Sequence, residues 1–237
     1  WNLGTRTSPV TEWTSGYFEQ VTFDLGETRT YRFTYFGGIS NTGFTVALSN
    51  DGENWTEENY AAYSAGYMYR WLWYVPQRMG DDGAFSNAGK NSQPAADTGE
   101  GGASVTYADN QNKYPLQTSR YLRITSNGAG LKLGEVAFID TENECLFPVA
   151  SVSSAAENES VSALTDEQYA VSLVPSYYNG MYFDEIYHAR TAYEMLQGYR
   201  AEEMLEWSHP QLGKLIIMIG IKLFGMTPFG WRCMGTL

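Results

Sequence analysis

Cysteine is almost missing from this chain of 237 residues, which has only Cys145 and Cys233. The two lie in segments of different character, with no CxxC pair or Cys/His cluster beside them. A disulfide scaffold and a structural zinc site of the usual kind are therefore not encoded. Positive charge is also scarce: 15 Lys and Arg stand against 27 Asp and Glu, a net charge of −12. Such a balance repels phosphate backbones, which excludes nucleic acid as a partner and disfavours anionic lipid surfaces. Long apolar runs are lacking as well. The run Leu215–Ile221 ends at Lys222 after seven residues, against the ~20 needed to cross a bilayer. No basic-then-apolar leader opens the chain at Trp1, and no polar tail follows "RCMGTL". Both ends are expected to be interior to a longer protein.

Aromatic residues, in contrast, are abundant at 15%, including 18 Tyr and 7 Trp. Each has an apolar body with a polar tip, which suits sugar faces, partner surfaces and membrane interfaces alike. Between residues 17 and 139, near period-two alternation predicts strands at Val21–Leu25, Tyr31–Phe36, Phe44–Ser49, Arg120–Thr125 and Glu135–Ile139. Turn signals such as "NDGEN" and "SNGAG" separate them. Short alternating strands without a helical period predict a mainly β fold, an antiparallel sandwich or jelly roll.

Between Asn59 and Pro115 the pattern loosens into an aromatic stretch, "YAAYSAGYMYRWLWYV", and then a polar, glycine-rich segment expected to be a long exposed loop. Residues 141–180 have the small, polar composition of a linker. Beyond them, Tyr182, Ile186, Ala189, Tyr193 and Leu196 recur at three and four residues, an amphipathic helix stripe stopped at Gly198. The following "WSHPQLGKLIIMIGIKLFGMTPFGWR" has the make-up of a segment lying at a membrane surface.

The ordered motifs "VTFDLGETRTYRF", "FTVALSNDGENW" and "RYLRITSNGAGLKLGEVAFI" resemble the discoidin, or coagulation-factor C-type, family, which includes the family 32 carbohydrate-binding modules. In this light Asp24-Leu25-Gly26 closes a strand, Ser49-Asn50-Asp51-Gly52 is a hairpin tip, and Trp55 covers the sandwich end. The resemblance implies a non-catalytic binding module over residues 1–140 whose loops meet cell-surface or secreted glycans. Sugar stacking needs an exposed aromatic face, and the candidates are Tyr63, Tyr67, Trp71 and Trp73, with Arg70 as polar neighbour. The competing reading is that these aromatics alternate into the core or face a partner.

The stretch "YFDEIYHAR" places Asp184 and Glu185 side by side, with His188 one helical turn after Asp184. The plain reading is a helix start, where carboxylates oppose the macrodipole by about 0.3–1 kcal/mol each. The chemical reading is that Asp184 and His188 share a helical face with Thr191 and Met195. Flanking aromatics would desolvate the carboxylate and make it a better base. His209 and Lys214 form a second polar cluster just ahead of the apolar segment. Arg190 and Glu194 read as a charge pair serving the helix itself.

Taken whole, "YFDEIYHARTAYEML" followed by "WSHPQLGKLIIMIGIKLFGMTPFGWR" resembles glycosyltransferase family 39, the protein O-mannosyltransferase type of GT-C enzyme. Residues 181–237 resemble its first extracytoplasmic loop and the approach to its second membrane helix. "NLGTRTSPVTEW" resembles the stretch after the first membrane helix. The family commonly has His-Pro-Pro where this chain has His209-Pro210-Gln211. The resemblance implies a multi-pass membrane enzyme with this region extracytoplasmic and the β module inserted in the loop. Its donor would be a polyprenyl-phosphate sugar and its acceptor a protein Ser or Thr hydroxyl. Asp184 would be the base or acceptor-orienting group, Glu185 its companion, and His188, His209 and Lys214 substrate-binding. No cofactor is required by the residues. A divalent metal, as a structural calcium in the β module or an ion at the transferase site, is compatible with both resemblances, with no ligand set legible for either. The alternative is a non-catalytic extracellular carbohydrate-binding or adhesion module with an interfacial helix.

Overall fold

A computed structural model describes residues 9–38, 40, 42–56, 58–61, 71–74, 76–77, 115–156, 158–171, 173, 181, 184–200, 204, 206 and 208–235. Ten strands occur among them: β1 (Trp13–Thr14), β2 (Gln20–Gly37), β3 (Phe44–Ser49), β4 (Asn59–Ala61), β5 (Trp71–Trp73), β6 (Pro76–Gln77), β7 (Gln117–Ser126), β8 (Lys132–Asp140), β9 (Cys145–Phe147) and β10 (Ser151–Ser154). Three α-helices follow: α1 (Glu185–Leu196), α2 (Gln211–Phe224) and α3 (Pro228–Arg232). The fold is mainly β and antiparallel, as the alternation predicts.

The organising element is β2. Where the sequence predicts two strands parted by a turn, the structure has one strand of 18 residues. Its register against β7 shifts between Asp24 and Arg29, and Gly26 takes a φ of +79° there. Asp24 still accepts from the Gly26 amide at 2.7 Å, so the local turn chemistry survives as an irregularity within the strand. The first half of β2 lies between β10 and β7. The second half lies between β5 and β8. One strand thus passes through two sheets, the first continuing through β3, β4 and β6, and the second carrying β1 and β9 on the outer edge of β8.

The alternating residues Val21, Phe23, Leu25, Tyr31, Phe33 and Tyr35 all enter the main core with Leu122, Ile124, Val136 and Phe138. The rings of Tyr31 and Phe138 meet edge to face at 5.1 Å, a geometry that adds to simple burial. At the hairpin tip, Asp51 accepts from the Glu53 and Asn54 amides while Gly52 adopts φ +80°. Trp55 lies under Arg123, whose guanidinium is 4.2 Å from the ring centroid.

Residues 141–171 correct the linker expectation. β10 pairs with β2, and a 3-10 helix over Glu159–Leu164 puts Leu164 into the main core. Glu167 accepts from the amides of Val10 and Thr11. Small polar residues suit an edge strand as well as a linker, so composition does not separate the two. Cys145 and Cys233 are free thiols.

The helices pack on the second sheet. Phe36 and Trp71 from neighbouring strands form one apolar cluster with Met181, Ala189, Ala192, Ile221 and Trp231. That contact explains why the end of β2 is buried on both faces rather than alternating. No helix among the described residues is long and apolar enough to cross a membrane.

Candidate functional site

α1 carries the predicted stripe from Glu185 to Leu196 and ends just ahead of Gly198, whose φ of +80° stops the helix. Asp184 occupies the N-cap position but has helical dihedrals, and its side chain makes no capping hydrogen bond. The carboxylate is therefore not consumed by the helix end. It lies with His188 and His209, one ligating atom of each falling within 4.8 Å of the others. All three residues are half-buried. His188 follows Asp184 by one turn, which puts both on one face. His209 comes from the turn before α2, its ring edge-on to His188 at 4.6 Å between centroids and roughly parallel to Tyr187 at 6.4 Å.

Burial pushes the His188 imidazolium below its ordinary pKa, and the neighbouring His209 and the Lys214 ammonium push the same way. The carboxylates of Asp184 and Glu206 oppose that shift. His188 is thus a neutral imidazole at neutral pH, able to accept a proton or a metal.

Glu206 is the residue that sequence reasoning missed. Its carboxylate accepts from the His209 amide at 3.0 Å and from the amide and hydroxyl of Ser208. It also accepts from Lys214 Nζ, which donates in addition to the Glu206 carbonyl at 2.8 Å. Burial disfavours the Glu206 carboxylate, but the bonds from Lys214, Ser208 and His209 outweigh it and hold the group well below the usual carboxylate range. A lysine leading into an apolar run needs a counter-ion, and "AEEMLEW" offered three carboxylates. Nothing local told Glu206 from Glu202 and Glu203.

The remaining sequence candidates separate. Lys214 is fully buried and held by Glu206. It ties the start of α2 to Glu206 in the turn that carries His209. Glu185 is gripped in a fork by Arg232 Nε and Nη2, both at 2.6 Å, and takes a third bond from Trp231 Nε1 at 3.1 Å. Successive helical residues point about 100° apart, so Glu185 anchors α1 to α3 while Asp184 faces the histidines. Its carboxylate is engaged by Arg232 and Trp231 and stands apart from the histidine cluster. Arg190 and Glu194 form the expected i,i+4 pair at 2.8 Å.

Trp71 and Trp73 are corrected too. They are 3% and 4% exposed, so neither presents a face to a sugar. Trp71 meets Phe36 edge to face at 5.5 Å beneath the helices. Trp73 packs with Ile139, Leu146 and Leu173, while Leu72 between them enters the main core. The alternation is real, but both faces of β5 are covered. Tyr63, Tyr67 and Arg70 lie outside the described residues.

α2 leaves an apolar face uncovered. Leu212 and Leu223 are 70% and 65% exposed, and Leu215, Ile216, Ile219 and Phe224 are exposed with them, at the spacing of one helical stripe. A groove of about 350 Å³ opens elsewhere, between Pro9–Glu12 and the α1–α2 pair. It contains none of the residues around Asp184.

No family model matches the chain, and no curated protein does. Solved structures similar to part of it include CpGH89CBM32-6 produced by Clostridium perfringens, 15% identical over 56% of this chain and 79% of that one, with a TM-score of 0.32. Another is chitosan-binding module 1 of a chitosanase/glucanase from Paenibacillus sp. IK-5, 14% identical over 55% of this chain and 77% of that one, with a TM-score of 0.31.

Proposed function

We propose that the helical end contributes to the sugar-transfer site of a membrane glycosyltransferase of the protein O-mannosyltransferase type, with the β-sandwich as an inserted glycan-binding module. The reaction is transfer of mannose or a related sugar from a polyprenyl-phosphate donor to a protein Ser or Thr hydroxyl. The observation that carries this reading is the uncapped Asp184 carboxylate, placed beside two imidazoles instead of being spent on its own helix. A half-buried carboxylate free of the helix end can orient an acceptor hydroxyl and take its proton as the sugar leaves its phosphate. The exposed apolar stripe of α2 supports a membrane-facing position, where a lipid-linked donor would be met. This region is then extracytoplasmic.

The test uses membranes containing the full-length protein, assayed for transfer from polyprenyl-phosphate mannose to a Ser/Thr peptide. Asp184→Asn is expected to lower transfer by at least ~100-fold, the scale of losing a general base. Undiminished transfer would remove Asp184 from the chemistry. A second reading, a non-catalytic carbohydrate-binding module with an interfacial helix, is favoured by the two-sheet sandwich that makes up most of the described chain. Glycan binding by residues 1–237, together with no transfer at all by membranes of the full-length protein, would select it.

A further inference from the structure

We propose that Asp184, His188 and His209 form a binding site for one divalent transition metal of the zinc type. Two imidazole nitrogens and a carboxylate oxygen come from two different elements, the start of α1 and the turn before α2, yet lie within 4.8 Å of one another. Bonds of about 2.0–2.1 Å in a tetrahedral site put ligand atoms ~3.3 Å apart. The side chains must therefore close by at most ~1.5 Å, within reach of small side-chain rotations. Asp184 and His188 need no backbone change, because one helical turn already stacks them on the same face.

The donor set selects the metal class. Imidazole nitrogens suit zinc, cobalt, nickel, copper and iron, whereas calcium and magnesium take oxygens. Three protein ligands also leave a coordination position open, as in catalytic rather than structural zinc sites.

A second observation points the same way. Ligating histidines usually have their other ring nitrogen oriented by a carboxylate. Glu206 Oε2 lies 3.2 Å from His209 Nδ1. That nitrogen is shielded from solvent and the carboxylate is within its reach, at an angle short of a well-formed hydrogen bond. With Nδ1 given to Glu206, Nε2 is the His209 nitrogen left to ligate. Lys214 and Ser208 hold Glu206 in place for that role. The site stands on these side chains alone and does not depend on the transfer reading. If both hold, one oxygen of Asp184 binds the metal and the other takes the acceptor proton.

The experiment is a titration of chelator-treated residues 1–237 with Zn²⁺ and Co²⁺, in a Cys145→Ser, Cys233→Ser background that removes adventitious thiol ligands. Binding is followed by calorimetry and by the visible absorption of Co²⁺. One equivalent is expected, with a Co²⁺ band typical of low coordination number. Glu206→Gln is expected to weaken binding by ~10–100-fold, and His188→Ala, His209→Ala or Asp184→Asn by more. Ca²⁺ is expected not to displace Co²⁺ from this site. The X-ray absorption of the zinc complex, which needs no variant to fold, is expected to show two imidazoles. Absence of Zn²⁺ binding, equal binding by the His188→Ala, His209→Ala double variant, or a spectrum without imidazole would overturn the proposal. So would displacement of the bound Co²⁺ by Ca²⁺.

Discussion

Glu135 offers a sharp test of how the chain beyond the β module folds back on it. It lies in β8, fully buried. It accepts from the Glu167 amide at 2.9 Å and from the Gln168 side-chain amide. Burial pushes its carboxyl up to about 8 from 4.5; the two bonds pull against this, and the charges of Asp166 and Glu167 add to it. Below pH 4.5 the group is protonated whether the chain is folded or unfolded. As the pH rises from there toward 8, the unfolded chain loses the proton and the folded chain keeps it. The folded state then binds more protons, so stability falls with rising pH at up to ~1.4 kcal/mol per pH unit. The loss amounts to about 3 kcal/mol by pH 7 and roughly 4–5 kcal/mol above pH 8. Glu135→Gln keeps an acceptor for the Glu167 amide and removes the titration. Urea unfolding of both proteins, followed by tryptophan fluorescence between pH 4.5 and 9, reads the difference. The variant is expected to gain on the wild type by about 4 kcal/mol across that range, while every other titrating group cancels. Parallel stability curves would refute the reasoning, because they would mean that Glu135 ionises freely in the folded protein.

Two further outcomes follow from the helical end. Glu206→Gln replaces the counter-charge of a fully buried lysine with a neutral acceptor, and should destabilise the protein by ~2–3 kcal/mol in chemical denaturation; an unchanged midpoint would mean that Lys214 reaches water. Gly220→Ala puts a Cβ 2.3 Å from the Gly230 carbonyl and 2.8 Å from Met234 Cγ, so α2 must move away from the segment after it. A loss of at least ~2 kcal/mol is expected, and a wild-type melting temperature would show that the two segments do not approach so closely.

The strands show how far a local pattern carries. Period-two alternation read Val21–Leu25 and Tyr31–Phe36 as strands, and Val21, Phe23, Tyr31 and Phe33 from them are all in the core. The Asp24–Gly26 signal was also real, yet it produced an irregularity in β2 and not a strand end, because β7 continues to pair beyond it. The aromatics of β5 alternate as read, but alternation tells only that Trp71 and Trp73 share a face, not what covers it. The helices cover Trp71, and Ile139, Leu146 and Leu173 cover Trp73. In the candidate site, Asp184 and His188 were legible because one helical turn is a fixed spacing. His209 was visible as a nearby polar group, but its meeting with His188 was not. Glu206 carried no signal that its neighbours in sequence lacked.

What the sequence by itself determined is everything written at short period: the antiparallel strands, the tight turn at Asp51 and Gly52, the stripe of α1 and its stop at Gly198. Side-chain direction along a strand or helix repeats every two or every 3.6 residues, so these features need only neighbouring residues. Tertiary structure alone decided which polar groups meet: Glu185 with Arg232, Glu206 with Lys214, Glu135 with Gln168, and Asp184 with His209. Each pairing depends on how separate elements pack. A buried charge requires some partner, but which of several carboxylates supplies it is settled by where the chain folds back.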